Sequence, residues 1–205
     1  MDSVQGLKLL DPIMKHGFKL VAVTPDLSFL FKNTPDESWF DDLKSGNKDP
    51  GEIPLAQNLS NLIRLAVSYK YGGVYLDTDF IVLKDFSGLR NSIGAQSSNA
   101  FGNWTRLNNA VLVFDKNHPL LYKFIEEFTL TFNGNRWGHN GSYLVSRVAS
   151  KFATKWDINY RRNPCPDNIR VDDVLLKAHK DNYVKPCRQI NFSHNYKVEW
   201  MIKDK

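Results

Sequence analysis

Between residues 54 and 83 the chain changes periodicity in a way that few folds accommodate. Leu55, Leu59, Leu62, Ile63 and Ala66 recur at spacings of three and four, which is one face of a helix. Pro54 suits the first helical turn, where a missing N–H costs nothing. Gly72-Gly73 then supplies a stop, because glycine adopts the left-handed conformation that ends many helices. The next stretch, Val74-Tyr75-Leu76-Asp77-Thr78-Asp79-Phe80-Ile81-Val82-Leu83, is a β-prone apolar run interrupted by two aspartates. In an extended chain residues i and i+2 point to the same side, so Asp77 and Asp79 are expected to project together at or near a strand end.

Two neighbouring carboxylates repel, and burying them is costly without a compensating cation. A divalent metal, a shared proton or an exposed, water-screened loop would each resolve the conflict. The apolar flanks argue against a fully exposed loop. A hard cation with oxygen ligands, leaving room for phosphate oxygens, is the sharpest reading. Asn61 and Arg64, three apart, share the polar side of the preceding helix. If that helix packs beside the strand, Arg64 reaches the carboxylates; otherwise it is a solvated surface charge.

The joined pattern Leu59-Ser60-Asn61-Leu62-Ile63-Arg64 … Tyr71-Gly72-Gly73-Val74-Tyr75-Leu76-Asp77-Thr78-Asp79 resembles the sugar-nucleotide-binding region of the DXD glycosyltransferases. More narrowly it is similar to the α-1,4-glycosyltransferase family. That group includes globotriaosylceramide synthases, α-1,4-N-acetylglucosaminyltransferases and plant homologues. The likeness continues through Asn108-Asn109-Ala110-Val111-Leu112-Val113-Phe114 and the segment from Trp137-Gly138-His139-Asn140-Gly141 to Val148. It spans the chain from about Gly6 to about Trp200.

The resemblance implies a retaining, metal-dependent transfer of a hexose from a UDP-sugar to an acceptor hydroxyl on a glycan or glycolipid. The implied cofactor is Mn²⁺, or Mg²⁺. Asp77 and Asp79 become the catalytic pair, with Asp79 the direct metal ligand. Asp77 would divide its contacts between the metal or its waters and the donor. Donor contacts are implied for Asn61, Arg64, Tyr75, Asn108 and Asn109. Asn61 departs from the family, which usually carries an acid there; an amide keeps a hydrogen bond but loses the charge. Asn108 and Asn109 are equally readable as turn formers. Trp137, His139, Asn140 and Gly141 fall on the implied acceptor side, although an aromatic such as Trp137 more often packs in a core. His194 is a further candidate metal ligand. Asp157, Asp167, Asp172 and Asp173 are unranked candidates for a nucleophile, which front-face retention would not need.

At 205 residues the chain suffices for one domain with a real core. The expected class is α/β, alternating strands and helices, and the resemblance implies its GT-A variant. We expect one domain over 1–205, with a donor and metal half (1–115) and an acceptor half (116–205). The first strand expected, Phe18 to Val23, resembles the family's second. The GT-A strand-helix unit before it is therefore expected to be missing. Residues 7–15 read as a helix, 34–51 as loop with a short helix, and 87–103 as loop broken by extended pieces. Residues 110–114 read as a strand, 120–132 and 141–152 as helices, and 172–178 as a third short helix.

No run of eighteen apolar residues occurs and the N-terminus has no signal pattern. The net charge of +5 is spread along the chain, without a basic stripe or a nucleic-acid motif. Cys165 and Cys187 stand beside prolines. A disulfide between them would close a loop of about twenty residues, add roughly 3 kcal/mol and fit an oxidising compartment. Two unrelated thiols are the alternative. Glycosylation triplets begin at Asn58, Asn103, Asn140 and Asn191. Together with the cysteines they lean towards a lumenal protein. The resemblance implies the Golgi lumen, reached in full-length relatives through a type II anchor. Competing readings are a mannosyltransferase-like DXD enzyme, a truncated, non-catalytic protein of the same fold, and a phosphotransfer enzyme. The last lacks the further acidic or lysine cluster it should carry.

Overall fold

A computed structural model describes residues 4–21, 23–80, 82, 86–98, 104–155, 176–177 and 183–184. Helix α1 spans Val4–Lys15, α2 Leu27–Phe31, α3 Asp36–Lys44 and α4 Leu55–Tyr71. Strands β1 (Gly73–Leu76), β2 (Ser92–Ser98) and β3 (Trp104–Phe114) come next, then α5 (Pro119–Thr131) and α6 (Ser142–Lys155). The three strands form one antiparallel sheet in the order β1-β3-β2. The chain is thus a mixed α/β structure, as its alternating pattern predicts.

The core lies where α4, α5 and α6 cover the sheet. Leu112 and Phe114 of β3 are buried there with Leu62 and Leu65 of α4, Leu144 and Val145 of α6, and Ile93 and Ala95 of β2. From α5 the predicted inner face of Leu121, Phe124, Ile125 and Phe128 is fully buried. Trp39 of α3 closes the cluster by meeting Phe128 and Phe132 edge-on, with ring centroids 5.2 and 4.9 Å apart. Helix α5 starts where expected, with Pro119 in its first turn and the His118 ring accepting from the Leu120 N–H. Gly72 ends α4 at φ +70°, and a Cβ there would lie 2.7 Å from the Lys116 backbone nitrogen. Both conformation and space therefore require glycine at the turn that aims β1 at the site.

Several expectations fail for physical reasons. The apolar run from Phe18 is not a buried strand: its described residues are irregular, with Val21 and Val23 exposed. A strand needs a ladder partner, and no described strand pairs with it. Residues 92–98, expected as loop with extended pieces, form a continuous strand by pairing with β3 despite their Ser and Gly content. Leu176–Lys177 (β4), expected within a helix, pairs antiparallel with Tyr183–Val184 (β5). Cys165, Cys187 and His194, the aspartates 157, 167, 172 and 173, and the triplet asparagines Asn103 and Asn191 lie outside the described residues.

Asp36, in the first turn of α3, is wholly buried. The Thr34 hydroxyl donates to one carboxylate oxygen, and the other finds no partner among the described residues. Burial, only partly opposed by Thr34, pushes this carboxyl up from 3.8 to about 6. The folded state therefore holds a proton that the unfolded chain releases. Stability tied to it is complete below pH 4 and is lost as pH rises through about 6. An Asp36→Asn chain should gain on wild type by about 2 kcal/mol between pH 4 and pH 7, read from urea midpoints at both pH values.

Candidate functional site

The site is built where the C-terminal end of β1 meets α4 and the middle of β3. Strand β1 ends at Leu76; the Asp77 N–H still donates to Ala110 O (3.0 Å), and Phe80 N then closes a turn on Asp77 O (3.4 Å). The aspartates therefore do not share a strand face, as simple alternation predicts. They sit on a turn just beyond the strand. On β3 the carbonyl of Asn109 accepts from Arg64 Nη1 (3.3 Å). The β2–β3 register shifts at this place, between Ile93 and Gly94, and Asn109 falls inside the irregularity.

Helix α4 packs beside β1, so of the two readings of Arg64 the one that holds is the approach to a carboxylate; the side chain is buried and not a solvated surface charge. Four acceptors make that burial tolerable. Nη1 donates to Asp77 Oδ2 (2.9 Å) as well as to Asn109 O, Nε donates to Ser60 O (3.2 Å), and Nη2 to Ser60 Oγ (3.1 Å). Its guanidinium also lies 5.0 Å from the centre of the Tyr75 ring. Tyr75, inside β1, meets Asp77 just past the strand end, and Tyr75 Oη donates to Asp77 Oδ1 (2.6 Å). Burial first, and then this donation, hold the Tyr75 phenol far above its usual range, so it remains a proton donor at physiological pH. Both oxygens of Asp77 are thus engaged, and its side chain is only 27% exposed. Asp79, one residue beyond Thr78, is exposed.

The asparagines divide. Asn109 is buried and donates from Nδ2 to Asn61 Oδ1 (3.0 Å), while Asn61 donates to Gln57 O on its own helix (3.2 Å). Asn108 turns inward on its own strand, its Oδ1 accepting from the Ala110 N–H (3.0 Å). A Cβ at Gly141 would meet Asn61 Oδ1 at 2.9 Å, so the loop before α6 abuts this group directly. In that loop Trp137 is 70% exposed rather than packed in the core. Near Trp137, the exposed ring of Tyr143 carries the Arg106 guanidinium 4.5 Å from its centre. His139 Nε2 bonds Thr131 O (2.8 Å), so that nitrogen is committed to the end of α5.

Asn140 does not face an acceptor space. It is buried, donates from Nδ2 to Asn58 Oδ1 (2.9 Å) and Asn133 O (2.8 Å), and accepts from the Asn133 N–H (3.1 Å). These contacts pin the loop to α4 and to the end of α5. Two glycosylation triplets are consumed by the same network, since Asn58 is buried against Asn140 and Ser60 holds Arg64. Glycopeptide mapping of the folded chain, expressed through the secretory pathway of a host cell, should find Asn58 and Asn140 unmodified.

Sequence reasoning missed three residues that this geometry brings forward. Ser60 anchors Arg64, and Asn58 and Asn133 anchor the loop. Only the i, i+4 spacing of Ser60 and Arg64 carried a signal. Among the described residues no group of three or more His, Cys, Asp or Glu is placed to hold a metal ion.

A helix-borne arginine thus grips the first aspartate of an Asp-Thr-Asp turn, and the second aspartate is left open beside it. Residues 5–100 match the glycosyltransferase sugar-binding region containing the DXD motif, which defines the class. Residues 113–200 match the alpha 1,4-glycosyltransferase conserved region, and the chain belongs to the α-1,4-glycosyltransferase family. It is 38% identical over 138 residues to lactosylceramide 4-alpha-galactosyltransferase of Mus musculus, covering 67% of this chain and 36% of that protein. It is 30% identical over 123 residues to alpha-1,4-N-acetylglucosaminyltransferase of Homo sapiens, covering 60% of this chain and 33% of that protein. The matches thus span about a third of these relatives' lengths. Among solved structures, the PaToxG glycosyltransferase aligns with a TM-score of 0.47 and 18% identity, over 64% of this chain and 45% of that one.

Proposed function

We propose that this chain binds a UDP-sugar together with a divalent cation and transfers the hexose to an acceptor hydroxyl, forming an α-1,4 linkage with retained anomeric configuration. The observation that carries the reading is the contrast between two neighbouring carboxylates. Asp77 is clamped by Arg64 and Tyr75, whereas Asp79 stands open beside it. The donor set is hard oxygen and incomplete, which fits an ion whose remaining ligands come from a diphosphate and water. Asp79 would hold that ion, and Asp77 would face the donor's ribose or sugar. When bound, the ion offsets negative charge that grows on the leaving diphosphate. Arg64 fixes Asp77 beside it.

Asn61 and Asn109 form the wall next to this turn, and their amides suit the hydroxyls of a donor sugar. Across that wall the exposed face of Trp137 offers a stacking surface for an acceptor glycan or glycolipid headgroup. A donor half before residue 115 and an acceptor half after it accord with this division, as does the GT-A variant of the fold. The Golgi lumen is the setting that goes with such a reaction. None of the helices among the described residues is long and apolar enough to cross a membrane.

A second reading is a chain of the same fold that binds donor without turnover. It is favoured by Asn61, whose amide is spent on Gln57 O and Asn109 and carries no charge. The two readings separate in a donor-hydrolysis screen with UDP-galactose, UDP-N-acetylglucosamine and UDP-glucose. We expect manganese-dependent release of UDP from one of the three. Binding of manganese and UDP without release from any donor would favour the second reading.

A further inference from the structure

We propose that Tyr75 is a positioning residue, whose hydroxyl and ring fix the Asp77 carboxylate in the one orientation from which it serves the donor site. The inference rests on the donor-site reading and deepens it. A carboxylate with a single partner can rotate about its last bond. Asp77 has a separate donor on each oxygen, Tyr75 Oη on Oδ1 at 2.6 Å and Arg64 Nη1 on Oδ2 at 2.9 Å. The first of these is a short bond to a charged acceptor, and such bonds are among the strong ones. The two donors also support each other, because the guanidinium lies against the Tyr75 ring. Arg64 cannot swing away, since Ser60 and Asn109 hold three of its four other N–H groups. Tyr75 cannot shift easily either: its backbone is in register with Leu112 of β3, and its ring packs on the core. The clamp is thus assembled from α4, β1 and β3 before any ligand arrives. Asp79 has no comparable clamp among the described residues, which divides the pair into a fixed and an adjustable member.

A double-mutant cycle tests this. Tyr75→Phe keeps the ring, its packing and its contact with Arg64, and deletes only the hydroxyl. Asp77→Asn removes the charge that the hydroxyl serves. The four chains are compared by calorimetric titration with UDP in the presence of manganese, and by urea denaturation without ligand. Tyr75→Phe alone should weaken manganese-UDP binding on the order of tenfold, the scale of one hydrogen bond to a charged group. In the Asp77→Asn background the same change should cost less than about twofold, because a residue acting through Asp77 has nothing left to position. Denaturation without ligand should show the same non-additivity.

Equal losses in both backgrounds would mean that the hydroxyl touches the donor directly, and would overturn the proposal. So would full additivity in the ligand-free denaturation. Wild type that binds no manganese-UDP removes the donor-site reading and the positioning role with it. Non-additive denaturation in that case would still report the clamp as a structural feature, so the two failures are distinguishable.

Discussion

An Asp79→Ala chain is expected to fold normally and to lose manganese-dependent donor turnover on the order of a thousandfold. The side chain is exposed on a turn, so its removal should change folding stability by no more than about 0.5 kcal/mol. The loss should fall on chemistry instead, because this open carboxylate is the one left to anchor a cation against a diphosphate. Asp77→Asn provides the contrast. It removes the charge facing Arg64 and an acceptor for Tyr75, so both stability and turnover should fall. Turnover assays paired with urea midpoints separate the two behaviours. Unchanged turnover in Asp79→Ala would remove the metal assignment.

Arg64→Ala should be the most destabilising change at the site, at about 3 kcal/mol. Truncation leaves the Asn109 carbonyl without its donor, leaves Asp77 as an unbalanced, partly buried charge, and deletes a stem packed within α4. For a chain of this size that corresponds to a melting point lower by roughly 6–12 °C. Arg64→Lys should recover less than half of the loss. One ammonium cannot reproduce a planar fork that reaches Ser60, Asp77 and Asn109 at once. Full recovery by lysine would show that only the charge matters, and that the fixed geometry of the fork does not.

The elements most legible in the sequence are those whose own residues decide them. Helices α4 and α5 combine a long apolar period with clear start or stop residues, and their buried faces follow it closely. The approach of Arg64 to Asp77 is open to reading too, because α4 leads through one glycine turn into β1. What failed depended on partners distant in the chain. Strand β2 has weak intrinsic preference and exists because β3 offers it a ladder. The run from Phe18 has strong preference and no partner strand among the described residues. The contact of Arg64 with Asp77 is among its readings, but the Asn109 carbonyl and the Ser60 acceptors that complete its burial are not. Asn58 and Asn140 look like accessible acceptors for a glycan, and only the approach of residues 82 positions apart buries them against each other. Periodicity carries no information about such side-chain pairings.

The proposed chemistry turns on Asp79, which, beside a clamped Asp77, grips a cation that grips a pyrophosphate. Melting curves of wild type and Asp79→Ala, each with manganese, with UDP and with both, put this to the test. Ligand that binds only the folded state must stabilise it, by about 2.7 kcal/mol at a hundredfold excess over Kd, which is about 5–10 °C here. That rise is expected for wild type with both ligands together, and it should disappear in Asp79→Ala. An equal rise in Asp79→Ala, or none in wild type, would contradict the assignment.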